Sequence, residues 1–344
     1  MKRETRKVCL TSLGCPKNLV DSEVMLGFLA KEGYEITTEE AEADILVVNT
    51  CGFVADAKKE SVEAILRLAE FKKTGRCGSL VVAGCLTQRY KDEISGILPE
   101  VDLFVGTGEY HKIAGLLANP GHGQVFAGKP VYIHDYDTPR ILATPRHYAY
   151  LKISEGCSNH CAYCTIPEIR GELRSRTSDS IVKEAEFLAS SGVKEINIVS
   201  NDSTSYGRDL KYRDGLTQLL KRLTRIEGIV WIRLLYLYPD RITDGLIELI
   251  KEEEKICKYI EMPIQHINDR VLKAMRRTYD RRLVESLLEK LRKEIAGVVL
   301  RTTLITGFPS ETEEEFGELL EFVRAAKFER LGAFAYSKEK DTPA

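Results

Sequence analysis

The chain has 344 residues, of which 43% are hydrophobic and 30% charged, and its formal net charge is -2. This length indicates about two domains, and the composition is that of a folded protein. The near-neutral charge excludes an overall basic field for nucleic acid or an anionic membrane. The apolar runs are far shorter than the roughly 18 residues of a membrane span, and no signal peptide is evident, so we expect a cytoplasmic protein.

The first 120 residues alternate between β-branched runs and segments with helical spacing of apolar residues. This alternation predicts an N-terminal α/β domain, residues 1–120, with an open parallel sheet and crossover helices. The strands are expected at Lys7–Leu13, Asp44–Thr50, Ser79–Gly84 and Val101–Val105, and the helices at Asn18–Lys31, Val54–Lys72 and Gln88–Leu98. Residues 121–145 are rich in Gly, Pro, His and Asp and are expected to be a linker.

Residues 146–344 resume the alternation with six strand-like runs. Six consecutive β/α units predict a (β/α)6 partial TIM barrel, with function at the C-terminal ends of its strands. The strands are expected at Tyr148–Ser154, Glu195–Ser200, Val230–Tyr236, Lys258–Ile264, Val298–Ile305 and Leu331–Tyr336, and the helices at Ser178–Ser190, Gly215–Arg225, Thr243–Glu253, Arg282–Ile295 and Glu311–Lys327.

Three of the nine cysteines, Cys15, Cys51 and Cys85, each directly follow a predicted strand of the first domain. The C-terminal ends of parallel strands meet at one edge of a sheet, so we expect these thiols to converge there. In a reducing cytoplasm such a group binds a metal more often than it forms disulfides. Three thiolates suit a cubane iron–sulfur cluster with one open iron, or a zinc ion with a bound water. The cysteines without this placement are expected in the core: Cys9, Cys77 and Cys257.

A second group, Cys157, Cys161 and Cys164, has the spacing CxxxCxxC directly after the first predicted barrel strand, in KISEGCSNHCAYCTIP. Such a short loop can wrap three thiolates around one cluster and leave a fourth iron free, with zinc as the competing metal. The spacing resembles the radical S-adenosylmethionine superfamily. The resemblance implies that the open iron chelates S-adenosylmethionine, whose reductive cleavage gives a radical that abstracts hydrogen. It also implies that Tyr163 lies near the adenine.

The two cysteine groups in this order resemble the methylthiotransferases. The stretches that carry the resemblance are SLGCPKNLVDSE, NTCGFVADAKKES, GCLTQRY, EGCSNHCAYCTIPEIRGELRSR, PIQHINDRVLKAMRR and the terminal RLGAFAYSKEKDTPA. The first is similar to the signature of the members that modify a ribosomal protein, whereas tRNA-modifying members typically read GCQMN where this chain has GCPKN.

The resemblance implies two [4Fe–4S] clusters, an auxiliary one that delivers sulfur and one that generates the radical. Their expected ligands are Cys15, Cys51 and Cys85 for the first and Cys157, Cys161 and Cys164 for the second. One S-adenosylmethionine would donate a methyl group and another the radical. The implied substrate is the β-carbon of an aspartate in small-subunit ribosomal protein twelve, free or within the ribosome. A flavodoxin or ferredoxin is the expected electron donor, and neither a membrane nor nucleic acid is an expected partner.

Further cofactor contacts are expected from polar side chains in or at the ends of barrel strands, where such residues usually belong to the site. They are Asn201, Arg233, Gln265 and Arg301, together with Tyr163. Asn201 stands where the family usually has Gln, and Ser310 replaces the usual glycine of GFPGE. Three arginines follow the second cysteine group: Arg170, Arg174 and Arg176. We expect them either to attract an acidic group of the cofactor or substrate or to form a solvated face. The family normally continues into a C-terminal TRAM domain, which this chain is expected to lack.

Two other functions remain open from the sequence. One is a tRNA methylthiotransferase, which the GCPKN signature argues against. The other is a non-catalytic zinc or iron–sulfur module that senses redox state, because cysteine spacing alone does not distinguish the two metals.

Overall fold

The computed structural model describes residues 5–118 and 121–344. The chain divides into two compact units: unit 1 is Met1–Ala143 with Thr165–Gly171, and unit 2 is Thr144–Cys164 with Glu172–Ala344. Unit 1 thus extends through most of the expected linker, and it takes in a short segment that directly follows the second cysteine group. The expected boundary at residue 120 lies outside the described residues.

Unit 1 contains a six-stranded parallel sheet in the order β2-β1-β3-β4-β5-β6. Its strands are β1 (Lys7–Ser12), β2 (Glu35–Ile36), β3 (Ile45–Thr50), β4 (Ser79–Gly84), β5 (Leu103–Val105) and β6 (Gln124–Phe126). Every residue of β3 and β4 is buried, as expected for central strands covered on both faces. β2 and β6 are absent from the sequence-based expectation because two or three residues are too few to show an alternating pattern. β6 pairs with β5, which explains why the expected linker belongs to unit 1.

The helices of unit 1 are α1 (Pro16–Lys31), α2 (Ala55–Ala69), α3 (Phe71–Thr74), α4 (Cys85–Arg89), α5 (Ile94–Ile97), α6 (Ile113–Leu116) and, from later in the chain, α7 (Ile166–Arg170). The helix expected over Gln88–Leu98 is instead two short helices. The first ends at Arg89, because the backbone of the next residue, Tyr90, leaves the helical region at φ -113° and ψ 26°.

Unit 2 contains a second six-stranded parallel sheet, in the order β14-β13-β12-β11-β10-β7. The strands are β7 (Tyr148–Lys152), β10 (Glu195–Val199), β11 (Trp231–Leu234), β12 (Ile256–Glu261), β13 (Val299–Thr306) and β14 (Arg330–Ala335), with a separate antiparallel pair β8 (Ser154–Glu155) and β9 (Arg174–Ser175). The helices are α8 (Ser178–Ser190), α9 (Gly215–Leu223), α10 (Asp244–Glu252), α11 (Asp269–Ala274), α12 (Arg281–Glu294) and α13 (Glu313–Ala326). Neighbours in the sheet follow chain order, as in a partial barrel, so the predicted α/β class is confirmed.

The two faces of the barrel sheet differ in polarity. On β13, Leu300, Thr302 and Leu304 are buried, whereas the intervening Arg301 is exposed. Side chains alternate between faces along a strand, so Arg301 and Thr303 lie on the face opposite the packed one. Across the described ranges no helix is both long and apolar enough to cross a membrane.

Candidate functional site

Cys15 lies at the junction of β1 and α1, at the N-cap position of the helix. Pro16 occupies the first turn, and the backbone N–H groups of Lys17 and Asn18 point at the Cys15 thiol. Burial acts to raise the pKa of Cys15, but Lys17, Arg170 and these two N–H groups outweigh it, so the pKa is lowered. The start of α1 therefore stabilises a thiolate at this position.

Asn18 joins the loop of Cys15 to the neighbouring strand. Its Nδ2 donates to the carbonyl oxygens of Leu13 at 2.8 Å and Thr50 at 3.1 Å, and its own carbonyl accepts from Asn49 Nδ2 at 2.8 Å. Asn18 is almost fully buried, so these bonds fix the ends of β1 and β3 beside each other. These hydrogen bonds give the Asn of the GCPKN pattern a structural role in the loop.

The loops that carry the three cysteines of unit 1 approach one another closely. A Cβ added to Gly14, whose φ is +87°, would lie 3.0 Å from Cys51 Cβ. A Cβ added to Gly52 would lie 2.9 Å from the carbonyl of Cys85. Only glycine permits these approaches. The structure thereby brings together the backbones that carry Cys15, Cys51 and Cys85.

The thiols of unit 1 also influence one another electrostatically. Burial raises the pKa of Cys85 to about 12, with Arg170 acting against it and the charges of Cys15 and Cys51 adding to it. Burial likewise raises the pKa of Cys51. Ligation requires thiolates, so a metal group bound here must displace these protons.

In protein without metal, we expect iodoacetamide to alkylate Cys15 before Cys51 and Cys85. The thiolate is the nucleophile, and only Cys15 has a lowered pKa. The expected ratio of rates at pH 7.5 is roughly tenfold or more, and it should shrink as the pH rises towards the pKa of the other thiols. Peptide mapping by mass spectrometry measures the order. Equal modification of all three at neutral pH would contradict the description of Cys15.

The CxxxCxxC loop of unit 2 is held by two side chains that contact Asn159 and by a backbone hydrogen bond at Ala162. Asn159 Nδ2 donates to Asp202 Oδ2 at 2.9 Å, and Asn159 Oδ1 accepts from Arg241 Nη1 at 2.7 Å. Within the loop, Cys164 N donates to Cys161 O at 3.0 Å, and Ala162 N donates to Met275 O at 3.0 Å. Burial raises the pKa of Cys157 to about 11. These contacts fix the conformation of the loop.

Arg277 contacts the middle of this loop. Its Nη1 lies 3.4 Å from Cys161 Sγ and 3.3 Å from Tyr163 Oη. The guanidinium also stacks on the ring of Tyr238, 4.1 Å from its centroid. Arg277 therefore places a positive charge beside the Cys161 thiol and the Tyr163 hydroxyl.

Two of the expected cofactor contacts carry buried oxygen atoms with no hydrogen-bond partner in the described residues. These are Asn201 Oδ1, just beyond β10, and Gln265 Oε1, beyond β12. Buried polar atoms normally have a hydrogen-bond partner. Two buried oxygens without one, at the strand ends of a barrel, suit a polar ligand. The third, Tyr163, bonds to Arg277 and packs against Ala162 and Phe308.

The remaining expected contacts, Arg233 and Arg301, already have protein partners. Arg233 Nε donates to Glu195 Oε1 at 2.7 Å, and its guanidinium lies 5.2 Å from the Tyr259 ring centroid. Arg301 Nε lies 3.5 Å from Glu261 Oε2, and half of its side chain is exposed. Their assignment as cofactor contacts stays a prediction.

The donor chemistry of both cysteine groups fits an iron–sulfur cluster. Each supplies three thiols, and each has an arginine beside one thiol: the buried Arg170 at Cys85 and the partly buried Arg277 at Cys161. Over residues 5–118 and 121–344, no three His, Cys, Asp or Glu side chains are grouped as for a single metal ion. The donor sets would hold one cluster each through Cys15, Cys51 and Cys85 and through Cys157, Cys161 and Cys164.

The contacts of some arginines with the thiols could not be predicted from the sequence. Arg277 lies in one of the matched stretches, but its spacing gives no sign of a thiol contact. Arg170 and Arg176 are buried, which excludes a solvated face for these two, whereas Arg174 is partly exposed. Arg176 pairs with Glu184, and Arg170 lies beside Cys85. The expectation for two of the three remaining cysteines agrees with the structure, since Cys9 and Cys77 lie in the core, whereas Cys257 is half-buried within β12.

Models of two known families match the chain. Residues 7–106 match Uncharacterized protein family UPF0004, and residues 151–323 match the Radical SAM superfamily. Among solved structures, the radical S-adenosylmethionine methyltransferase TsrM from Kitasatospora setae superposes with a TM-score of 0.71 at 16% identity, over 99% of this chain and 74% of that one. The cobalamin-dependent enzyme OxsB gives 0.64 at 12% identity, over 93% and 52%. At these identities the likeness shows the fold alone.

Sequence relatives are much more similar. "Ribosomal protein uS12 methylthiotransferase RimO" of Pelobacter propionicus is 55% identical over 99% of this chain and 76% of that protein. The proteins of the same name from Geobacter sulfurreducens and Bdellovibrio bacteriovorus are 52% and 51% identical, each over all of this chain and 78% of the relative. The predicted family is thereby confirmed, and the chain belongs to the RimO family of radical S-adenosylmethionine methylthiotransferases.

Proposed function

We propose that this enzyme adds a methylthio group to the β-carbon of an aspartate in ribosomal protein uS12 and uses two [4Fe–4S] clusters. The observation that carries the proposal is the presence of two separate thiol groups, one at the sheet edge of unit 1 and one in the CxxxCxxC loop of unit 2. The relatives named for uS12 support the substrate. A methylene hydrogen beside a carboxylate is too weakly acidic for removal by the available bases, which favours radical chemistry.

The chain contributes ligands, orientation and charge. When bound, the clusters and S-adenosylmethionine supply the electron, the radical, the sulfur and the methyl group. Cys157, Cys161 and Cys164 would hold the radical cluster, and Arg277 would place a positive charge beside Cys161. Asn201 Oδ1 and Gln265 Oε1 would accept hydrogen bonds from the amino or hydroxyl groups of S-adenosylmethionine, because both oxygens are buried and unpartnered in the described residues.

The proposed partners follow from this chemistry. Reductive cleavage needs a low-potential one-electron donor, and a flavodoxin or ferredoxin has that property. Because thiolate ligands and iron–sulfur clusters persist under reducing conditions, we propose that the enzyme works in the cytoplasm, where ribosomal proteins are also found.

The experiment compares two classes of substrate in separate reactions. The full chain is reconstituted anaerobically with iron and sulfide, reduced with dithionite, and given S-adenosylmethionine with either a uS12 peptide or tRNA. We expect about eight irons per chain and replacement of one aspartate hydrogen by a methylthio group, detected by mass spectrometry. Modification of tRNA adenosine instead would overturn the proposed substrate, and stable zinc without S-adenosylmethionine cleavage would favour the redox-sensing module.

A further inference from the structure

The chain returns to unit 1 immediately after the last cysteine of the CxxxCxxC loop, and it brings a buried arginine with it. Cys164 ends a segment of unit 2, and Thr165–Gly171 belongs to unit 1. The segment is fixed there by Thr107 Oγ1, which donates to Ile169 O at 2.5 Å. Arg170, the last residue of α7, is among the largest fully buried side chains of the described residues.

The guanidinium of Arg170 contacts Asp21, Asn18 and Cys85. Nη1 pairs with Asp21 Oδ2 at 2.9 Å, and Nη2 donates to Asn18 Oδ1 at 3.0 Å. Nη2 also lies 3.6 Å from Cys85 Sγ. Asn18 and Asp21 both belong to α1, so one helix orients the arginine towards the thiol. The fork geometry of arginine permits these simultaneous contacts.

The position of the Arg170 charge affects the nearby thiols strongly because Arg170 is buried away from water. Arg170 acts to lower the pKa of Cys15, Cys51 and Cys85, against the raising effect of burial. A cluster held by three thiolates places further negative charge in the same site, and each added electron increases it. A fixed cation at this distance stabilises the reduced cluster, which carries the greater negative charge. The effect is strong because the local dielectric constant is low.

We propose that Arg170 is a positioning residue of the unit 1 cluster that orients Cys85 and raises the reduction potential of the cluster. The inference rests on the proposed function only in that these cysteines hold a [4Fe–4S] cluster. The residue that tunes this cluster is supplied by the segment that directly follows the other cluster loop. Placement of Thr165–Gly171 is thus a condition for completing the unit 1 site.

The test isolates the unit 1 cluster in the full chain by replacing Cys157, Cys161 and Cys164 with Ala in every arm. Arg170→Gln removes the charge, Arg170→Lys keeps it, and Arg140→Gln is the matched control. The side chain of Arg140 is only 8% exposed, and it also pairs with α1, through Glu23 at 2.5 Å. Each protein is reconstituted, its iron is counted, and the ratio of reduced to oxidised cluster is measured by electron paramagnetic resonance at a fixed potential with dithionite and mediators.

Arg170→Gln is expected to lower the ratio of reduced to oxidised cluster about tenfold, which is 59 mV for a one-electron couple. Arg170→Lys should keep most of the original ratio, and Arg140→Gln should leave it unchanged. A normal iron content with an unchanged ratio in Arg170→Gln would overturn the inference. If that variant does not fold, Asp21→Asn replaces it. This change removes the carboxylate that pairs with Arg170, so it should raise the ratio of reduced to oxidised cluster. An unchanged ratio would then reject the proposal.

The same experiment separates this inference from the proposed function. A parent protein that binds no iron once the unit 2 cysteines are removed would contradict the assignment of Cys15, Cys51 and Cys85 as cluster ligands. A parent that binds about four irons, with a ratio insensitive to Arg170, would leave the proposed function standing and refute only the role of Arg170.

Discussion

Cys161→Ala is expected to abolish reductive cleavage of S-adenosylmethionine, whereas Cys51→Ala should spare cleavage and stop formation of the methylthio product. The proposed radical cluster depends on Cys161, while Cys51 lies in the separate thiol group of unit 1. Losing a residue that merely supports a metal ligand costs about 10–100-fold in activity. Loss of a ligand itself should therefore reduce the affected activity below roughly one hundredth of the original.

Two products report the two activities separately. 5'-Deoxyadenosine measures cleavage, and the modified uS12 peptide measures sulfur transfer, both by liquid chromatography with mass spectrometry. Cys257→Ala is the matched control, because Cys257 is a half-buried cysteine of β12 outside both groups. It should retain both activities. Loss of cleavage in Cys51→Ala as well as in Cys161→Ala would contradict the proposed division of labour.

The positions of the cysteines could be predicted because they depend on periodicity and topology. Cys15, Cys51 and Cys85 follow strands that the apolar runs reveal, and parallel strands end at a common edge. The supporting residues could not be predicted in the same way. Arg277 meets Cys161 across 116 residues of sequence, and Arg170 meets Cys85 across 85. Such pairings have no periodic signature and depend on tertiary packing alone.

The boundaries between units were harder to predict than the elements within them. β6 is only three residues long, and composition suggested a linker around it, but pairing with β5 places it in the unit 1 sheet. The segment Thr165–Gly171 had no compositional marker at all. Its membership of unit 1 follows from buried contacts, chiefly those of Arg170, which the sequence left open as a solvated face.

Asp202→Ala is expected to destabilise unit 2 by about 3–5 kcal/mol and to remove the cluster from its loop. Asp202 is buried and pairs with Arg241, and its Oδ2 also accepts from Asn159 Nδ2 at 2.9 Å and Ser205 Oγ at 2.7 Å. Removing one partner of a buried ion pair costs about 3–5 kcal/mol, and here it leaves Arg241 with the more exposed and more distant Asp240 as its acidic neighbour. Because Asn159 lies between Cys157 and Cys161, the same change also releases the cysteine loop.

Asp240→Ala is the matched control, since Asp240 contacts the same arginine from a more exposed position, with 3.8 Å between Arg241 Nε and Asp240 Oδ1. Its cost should be at most about 1 kcal/mol. Urea denaturation monitored by circular dichroism gives the stability, and iron content after reconstitution gives the occupancy. We expect iron to fall from about eight to about four per chain in Asp202→Ala and to remain unchanged in Asp240→Ala. Full iron in Asp202→Ala would mean that the cysteine loop is ordered by the cluster itself rather than by Asn159, Asp202 and Arg241.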